Sequence, residues 1–423
     1  MNIEINYTFE HTMNETRNNC AICNNILHNI FSLEKVPTKA ICGDFNAASQ
    51  RELQAEPVEE LKSRLVSKDS EAVLGTNVED TSNIYHGKLS FSKCVTCNTI
   101  QLDEMIPLHI LYSDSHNITS VGNVWKNYFK LFLEKLQPLI QNRRVFEIGC
   151  PSGKIALNVS GFDKYFIVDP NKNDSINFTE KNITFIQSFF DKDFVCDAKV
   201  DVVVHSHLFE HIYEPNVFLQ KCYEVLHDDG EMFFGVPNMS HFIESKTWPF
   251  LGVCFEHTIF LNEENITFLL KKNGFDVVEI IYYEKHSVMY HCKKQKNAQI
   301  VPGSLFQITD YINGFNESIS SYNQFVKCSN DVLKDTTKNA YIFGAGYNSQ
   351  ILISMGVDET NLTGVLDNCI EKQGKYLYGF QLMVFSPQVL ADEDCIVILK
   401  NGYYCEEIKQ QIIDINPNTV IIY

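Results

Sequence analysis

The chain has 423 residues, 44% of them hydrophobic and 21% charged, with 20 Gly and 12 Pro, the make-up of about three ordinary folded domains. Its 35 Lys and Arg against 53 Asp and Glu leave a net charge of −18, which argues against nucleic acid and anionic membrane partners but allows one small phosphorylated ligand held by local amides. No apolar run approaches the roughly 20 residues of a membrane span, and MNIEINYTFEHT lacks the basic and apolar blocks of a secretory signal, so a soluble, cytoplasmic chain with reduced thiols and no membrane insertion is expected.

Residues 1–105 carry two cysteine pairs, Cys20 with Cys23 in CAIC and Cys94 with Cys97 in CVTC, separated by a long polar insertion and little apolar sequence. Four thiolates suit tetrahedral Zn²⁺, and an ion could knit a segment whose own core is thin. An all-cysteine set leaves no open coordination position, so such an ion is structural. The bland reading is two unrelated pairs of buried cysteines, because the 70-residue gap is wider than in compact zinc ribbons. Cys42 is a possible stray ligand.

Residues 106–298 form the second predicted domain. WKNYFKLFLEKLQPLI has a helical period up to Pro138. RRVFEIGC, KYFIVD, ITFIQ, KVDVVVHS and GEMFFGVP read as strands alternating with helices at PSGKIALNVSG, NVFLQKCYEVLHDDG and EENITFLLKKNGF, followed by strands at DVVEIIYYE and SVMYHCK. This alternation predicts an α/β fold with a doubly wound, mostly parallel sheet. In VFEIGCPSG, Gly149 and Gly153 let the chain turn tightly toward a ligand, Glu147 stands at the strand end where it could meet an ammonium group, and the next strand ends in Asp169, a ribose-hydroxyl acceptor. The spacing E-x-G-x-x-x-G differs from the G-x-G-x-x-G of a nicotinamide site. HSHLFEHIYEP then brings His205, His207, Glu210 and His211 to the carboxyl edge of the sheet, where His207 or its backbone is expected to line the cofactor pocket and metal binding is the alternative. Asn238, in the VPN turn, is assigned to the substrate side. Glu256-His257 offers an imidazole beside a carboxylate, although such a dipeptide is by itself usually a solvated turn.

Residues 299–423 open with a connecting helix. They continue as a smaller Rossmann-like α/β unit with strands at NAYIFGAG, LTGVLDN, CIVILK and NTVIIY. Its glycine turn holds Gly344 and Gly346, and it adds Asp367 in VLDN and Lys375 in EKQGK.

Taken together, these motifs resemble the sugar C-methyltransferase family, S-adenosylmethionine-dependent enzymes that add a branch methyl to nucleotide-linked keto-deoxysugars. The resemblance implies a zinc-binding N-terminal domain on Cys20, Cys23, Cys94 and Cys97, and a class I methyltransferase core holding the cofactor at Glu147, Gly149, Gly153 and Asp169. It also implies a C-terminal domain that helps hold the sugar nucleotide. The family's catalytic Glu-His pair falls on Glu256 and His257, with Tyr112 the nearest match to a substrate-side tyrosine. Cys254 stands where the family has a tyrosine, a departure that bears on the accepted substrate. The competing expectations are an O- or N-methyltransferase on another surface-glycan or natural-product precursor, and an NAD-linked oxidoreductase using the C-terminal turn.

Overall fold

The computed structural model describes residues 15–43, 50–52, 84–111, 123–172, 178, 182–196, 198–244, 249–250, 252–296 and 309–423. Tyr112 and most of the polar insertion fall outside them.

Four strands build the main N-terminal sheet among the described residues: β1 (Leu27–Pro37) and β3 (Ile100–Leu102) pair antiparallel with β2 (Ile84–Cys94) on either side of it, and the short strand Gln50–Glu52 pairs parallel with the start of β2. Leu89 and Phe91 of β2 are fully buried, in a cluster that also takes Phe250 of the second domain and Phe315 of the third. The Phe91 ring lies 5.8 Å from that of Phe250 and 5.5 Å from that of Phe315. The N-terminal strands thus gain their apolar surroundings from the other two domains.

Helix α1 (Asn123–Leu136) opens the central domain and buries Tyr128, Phe132 and Leu136, one face at four-residue spacing, with Phe132 4.9 Å from Phe233 in the sheet. Strands β4 (Arg144–Ile148), β5 (Lys164–Asp169), β6 (Ile183–Gln187), β7 (Val200–Ser206), β8 (Leu226–Pro237), β9 (Phe275–Tyr283) and β10 (Ser287–Lys294) form one seven-stranded sheet in the order β6-β5-β4-β7-β8-β10-β9. All its pairings are parallel except the two made by β10, which lies antiparallel between β8 and β9. Helices α2 (Pro215–Val225), α3 (Met239–Glu244) and α4 (Glu263–Lys272) complete it. The chain leaves β4 in one direction toward β5 and β6 and later resumes on the other side at β7, so a crevice opens at the carboxyl ends of β4 and β7.

The helix expected after Gly153 is a correction: the chain makes only a short 3-10 turn, Ala156–Asn158. The Asn158 side chain donates to the Lys154 carbonyl at 2.8 Å, competing for the acceptor that an α-helical turn would need.

A 23-residue helix α5 (Ile312–Lys334) leads into the third domain. Strands β11 (Asn339–Phe343), β12 (Gly364–Leu366), β13 (Val384–Phe385), β14 (Cys395–Ile398) and β15 (Val420–Ile422) form an all-parallel sheet in the order β13-β12-β11-β14-β15. Among the described residues no helix is long and apolar enough to cross a membrane.

Candidate active site

One cavity of about 1540 Å³ opens over the crevice at β4 and β7. Gly149 lines its floor, and both it and Gly153, which lies behind the floor without bordering the cavity, take left-handed backbone, at φ +77° and +60°. A Cβ at 149 would sit 2.7 Å from Leu208, and one at 153 would collide with Phe178, so both positions require glycine for conformation and for space. Asp169 ends β5 at the cavity wall. Its Oδ1 accepts the Asn171 amide at 2.8 Å, and burial pushes its carboxyl up to about 6.

Glu147 is placed differently from the strand-end position expected of it. It is fully buried beneath the turn and does not border the cavity, whereas its neighbour Ile148 does. Successive residues of a strand face opposite ways, and that parity turns Glu147 inward. Its Oε2 accepts the Ala156 amide at 3.2 Å, and burial pushes the carboxyl up to about 7 against the pull of Cys150, Tyr165 and that amide. Glu147 therefore braces the turn from below.

His207 follows β7 with φ +50°, unusual for a residue with a side chain. Its amide donates to the Gly235 carbonyl at 2.8 Å, Nε2 meets Ser287 Oγ at 3.0 Å and Nδ1 meets Glu210 Oε1 at 3.3 Å. Trp125 and Tyr128 flank the ring at 4.7 and 5.1 Å between centroids. These contacts hold the strained residue at the cavity wall, which it lines together with Trp125 and His286. His205, by contrast, lies fully inside the core, stacked on Phe234 at 4.6 Å, and burial drives its imidazole down to about 3.

On the same cavity stand Glu210, His211, Glu256 and His257. Cys254 and His257 exchange both backbone hydrogen bonds at 3.0 Å, a closed two-residue turn that presents Glu256 and His257. The His211 and His257 rings meet edge to face at 4.6 Å. Burial, reinforced by His211, pushes the His257 imidazole down to about 4, with Glu210 and Glu256 opposing. For Glu210 burial works against the charge, yet the His207 hydrogen bond and the neighbouring His211 and His257 override it and hold the carboxyl at about 2. The sequence reading placed one carboxylate, Glu256, beside the base. The structure adds Glu210, whose three-residue spacing from His207 was the available signal. Trp125 and His286 carry no sequence signal of a site, since the one belongs to a helical period and the other to a turn between two strands.

The four cysteines gather at the edge of this domain. Cys20 and Cys97 sulfurs are 3.6 Å apart, those of Cys23 and Cys94 are 3.4 Å apart, and all four lie within 4.8 Å of one another. A tetrahedron with metal–sulfur bonds of about 2.3 Å has edges of about 3.8 Å, so the donor set fits Zn²⁺. Neighbouring donors steady the sulfurs, with Gln101 Nε2 3.1 Å from Cys20 and the Thr96 amide 3.4 Å from Cys94. Cys42 is not in the cluster. From the cluster β3 runs directly to the imidazole: the Leu102 amide donates to Thr258 O at 2.8 Å and the Phe260 amide to Ile100 O at 3.0 Å, extending β3 with the residues that follow His257.

Asn238 lines the cavity at the end of β8, while Gly344, Gly346, Asp367 and Lys375 lie at the carboxyl edge of the third domain's sheet and do not border it. Both Asp367 oxygens are engaged locally: Oδ2 accepts the Ala345 amide at 2.8 Å and meets Lys372 at 3.5 Å, and Oδ1 accepts the Cys369 amide at 2.8 Å. Of the third domain, Tyr404 reaches the cavity.

Residues 124–280 match the family described as a methyltransferase domain. A Mycobacterium tuberculosis (strain ATCC 25618 / H37Rv) protein named "Probable S-adenosylmethionine-dependent methyltransferase Rv3030" is 26% identical over 165 residues, 37% of this chain and 57% of that protein. A Mycolicibacterium smegmatis relative of the same description is 24% identical over 169 residues, covering 38% and 62%. The chain thus spans less than two thirds of these curated relatives. Among solved structures, the N-methyltransferase NodS from Bradyrhizobium japonicum WM9 in complex with S-adenosyl-L-homocysteine aligns at TM-score 0.33 and 12% identity, over 41% of this chain and 89% of that one. A SAM-dependent methyltransferase from Aquifex aeolicus aligns at 0.32 and 17%, over 40% and 88%. The central domain has the class I methyltransferase fold, with the antiparallel β10 inserted between β8 and β9.

Proposed function

We propose that the chain is an S-adenosylmethionine-dependent methyltransferase that alkylates carbon next to the ketone of a nucleotide-linked keto-deoxysugar, with a structural zinc on Cys20, Cys23, Cys94 and Cys97. The observation that carries this reading is the sharing of one cavity by the Gly149 turn, Asp169 and His257. The floor between Gly149 and Gly153, with Asp169 and His207 on the wall, would hold the donor, which when bound supplies an electrophilic methyl group. His257 removes the proton next to the ketone. Its imidazole is neutral at physiological pH, as a base must be, and the Glu210 and Glu256 carboxylates offset the positive charge it acquires. Asn238 and Tyr404 stand on the acceptor side, with the third domain's glycine turn and Lys375 assigned to the nucleotide.

An oxidoreductase using the third domain is the weaker reading, because the Asp367 oxygens that would meet a ribose are already taken by Ala345, Cys369 and Lys372. Methylation of oxygen or nitrogen needs the same donor cradle but no base against a carbon acid, and the standing of the His257 imidazole on the cavity of the donor cradle supports carbon. Thermal denaturation with ligands separates donor from dinucleotide. Saturating S-adenosylhomocysteine at about 100 times its dissociation constant should stabilise the chain by about 2.7 kcal/mol, a shift removed by Gly149→Val, while NAD leaves the transition unmoved. Stabilisation by NAD alone would reverse the assignment.

A further inference from the structure

Glu210, His211 and His257 converge more closely than acid–base chemistry requires. A carboxylate oxygen of Glu210 and one ring nitrogen from each histidine lie within 4.8 Å of one another, so a single ion with bonds of about 2.0–2.2 Å could reach all three after small side-chain adjustments. Glu210 is only 2% exposed. Its Oε1 meets His207, whereas Oε2 is buried with no hydrogen-bond partner among the described residues, and Nδ1 of His257 is buried in the same state. Buried polar atoms ordinarily find partners, and two left over beside one cluster of ligand atoms point to a missing cation. All three side chains border the cavity, so an ion held there would keep coordination positions open toward it, unlike one enclosed by four cysteines.

We propose that Glu210, His211 and His257 form a second divalent metal site, separate from the cysteine cluster, and that filling it withdraws His257 from proton abstraction. Two imidazoles and one carboxylate suit a late first-row ion such as Zn²⁺, Co²⁺ or Ni²⁺ over Mg²⁺ or Ca²⁺. His207 acts as the outer-shell partner that orients the Glu210 carboxylate. Only the inhibitory consequence rests on the reading of His257 as the base; the binding itself does not.

The test is calorimetric titration of the full chain with Zn²⁺, alongside His211→Gln and Glu210→Gln, each first shown to keep its thermal shift with S-adenosylhomocysteine. The wild type should take up one equivalent more than His211→Gln. Glu210→Gln should bind that equivalent at least about tenfold more weakly. Methyl transfer to a nucleotide-linked 4-keto-deoxyhexose should fall in step with its uptake. Equal zinc uptake by wild type and His211→Gln overturns the site. Extra uptake that leaves methyl transfer unchanged keeps the site, but overturns the inhibition and with it the assignment of His257 as the base.

Discussion

Replacing His257 by asparagine should lower methyl transfer by about 10²–10⁴-fold while leaving S-adenosylhomocysteine affinity within about threefold of wild type, because on the proposed reading the side chain removed is the base and not part of the donor cradle. Gly149, Gly153 and Asp169 are untouched by the change. The pH dependence carries the same signature. The imidazole sits at about 4 in the folded chain against an ordinary 6.5, so the base remains unprotonated from neutral pH downward until the pH nears 4. The acid limb of kcat/KM should fall there and not near 6.5. Stability runs the other way: the unfolded chain takes up this proton below about 6.5 while the folded chain resists until about 4, so the stabilising contribution is complete above 6.5 and is lost as pH falls through that window. His205, held at about 3, adds to the same loss. Initial rates after a brief pH jump separate protonation of the base from acid unfolding. A limb near 6.5, or an asparagine variant with full turnover, would place the base elsewhere.

Removing the zinc proposed for the four cysteines should act on turnover more than on donor binding. Gln101 links the cluster to β3, its Nε2 donating to Cys20 and its Oε1 accepting the Ala21 amide at 3.0 Å, and β3 pairs with the residues just after His257. The double variant Cys94→Ser, Cys97→Ser should lose zinc by elemental analysis and lose at least about tenfold in kcat, the scale on which supporting shells act, with the S-adenosylhomocysteine thermal shift retained. A zinc-free chain with unchanged kcat would show that the cluster has no hold on the imidazole.

The central sheet was legible because strands covered on both faces are written as continuous apolar runs, as in KYFIVD and KVDVVVHS. The turn at Gly149 was legible for a different reason: its two glycines take positive φ where a side chain would collide. The helix after Gly153 was not. Ile155, Ala156 and Val159 are buried as a helix would bury them, but Asn158 spends its amide on the Lys154 carbonyl and the chain turns away toward β5. Strand β2 was missed because IYHGKLSFSKC mixes polar and apolar residues, and its burial comes from Phe250 and Phe315, which lie far along the sequence. Within the site, the histidines and His257 in particular could be picked out by residue type. The convergence of Glu210 with His211 and His257 could not, since it arises where the loop after β7 meets the turn after α3.

The most direct measurement is to incubate the chain with S-adenosylmethionine labelled with ¹³C in the methyl group and a panel of nucleotide-linked 4-keto-deoxysugars, then to locate the label by NMR. The account predicts a new methyl bonded to the sugar carbon beside the ketone, formed by the wild type and suppressed in His257→Asn. A label attached to oxygen or nitrogen, or carbon methylation that persists without His257, would contradict it.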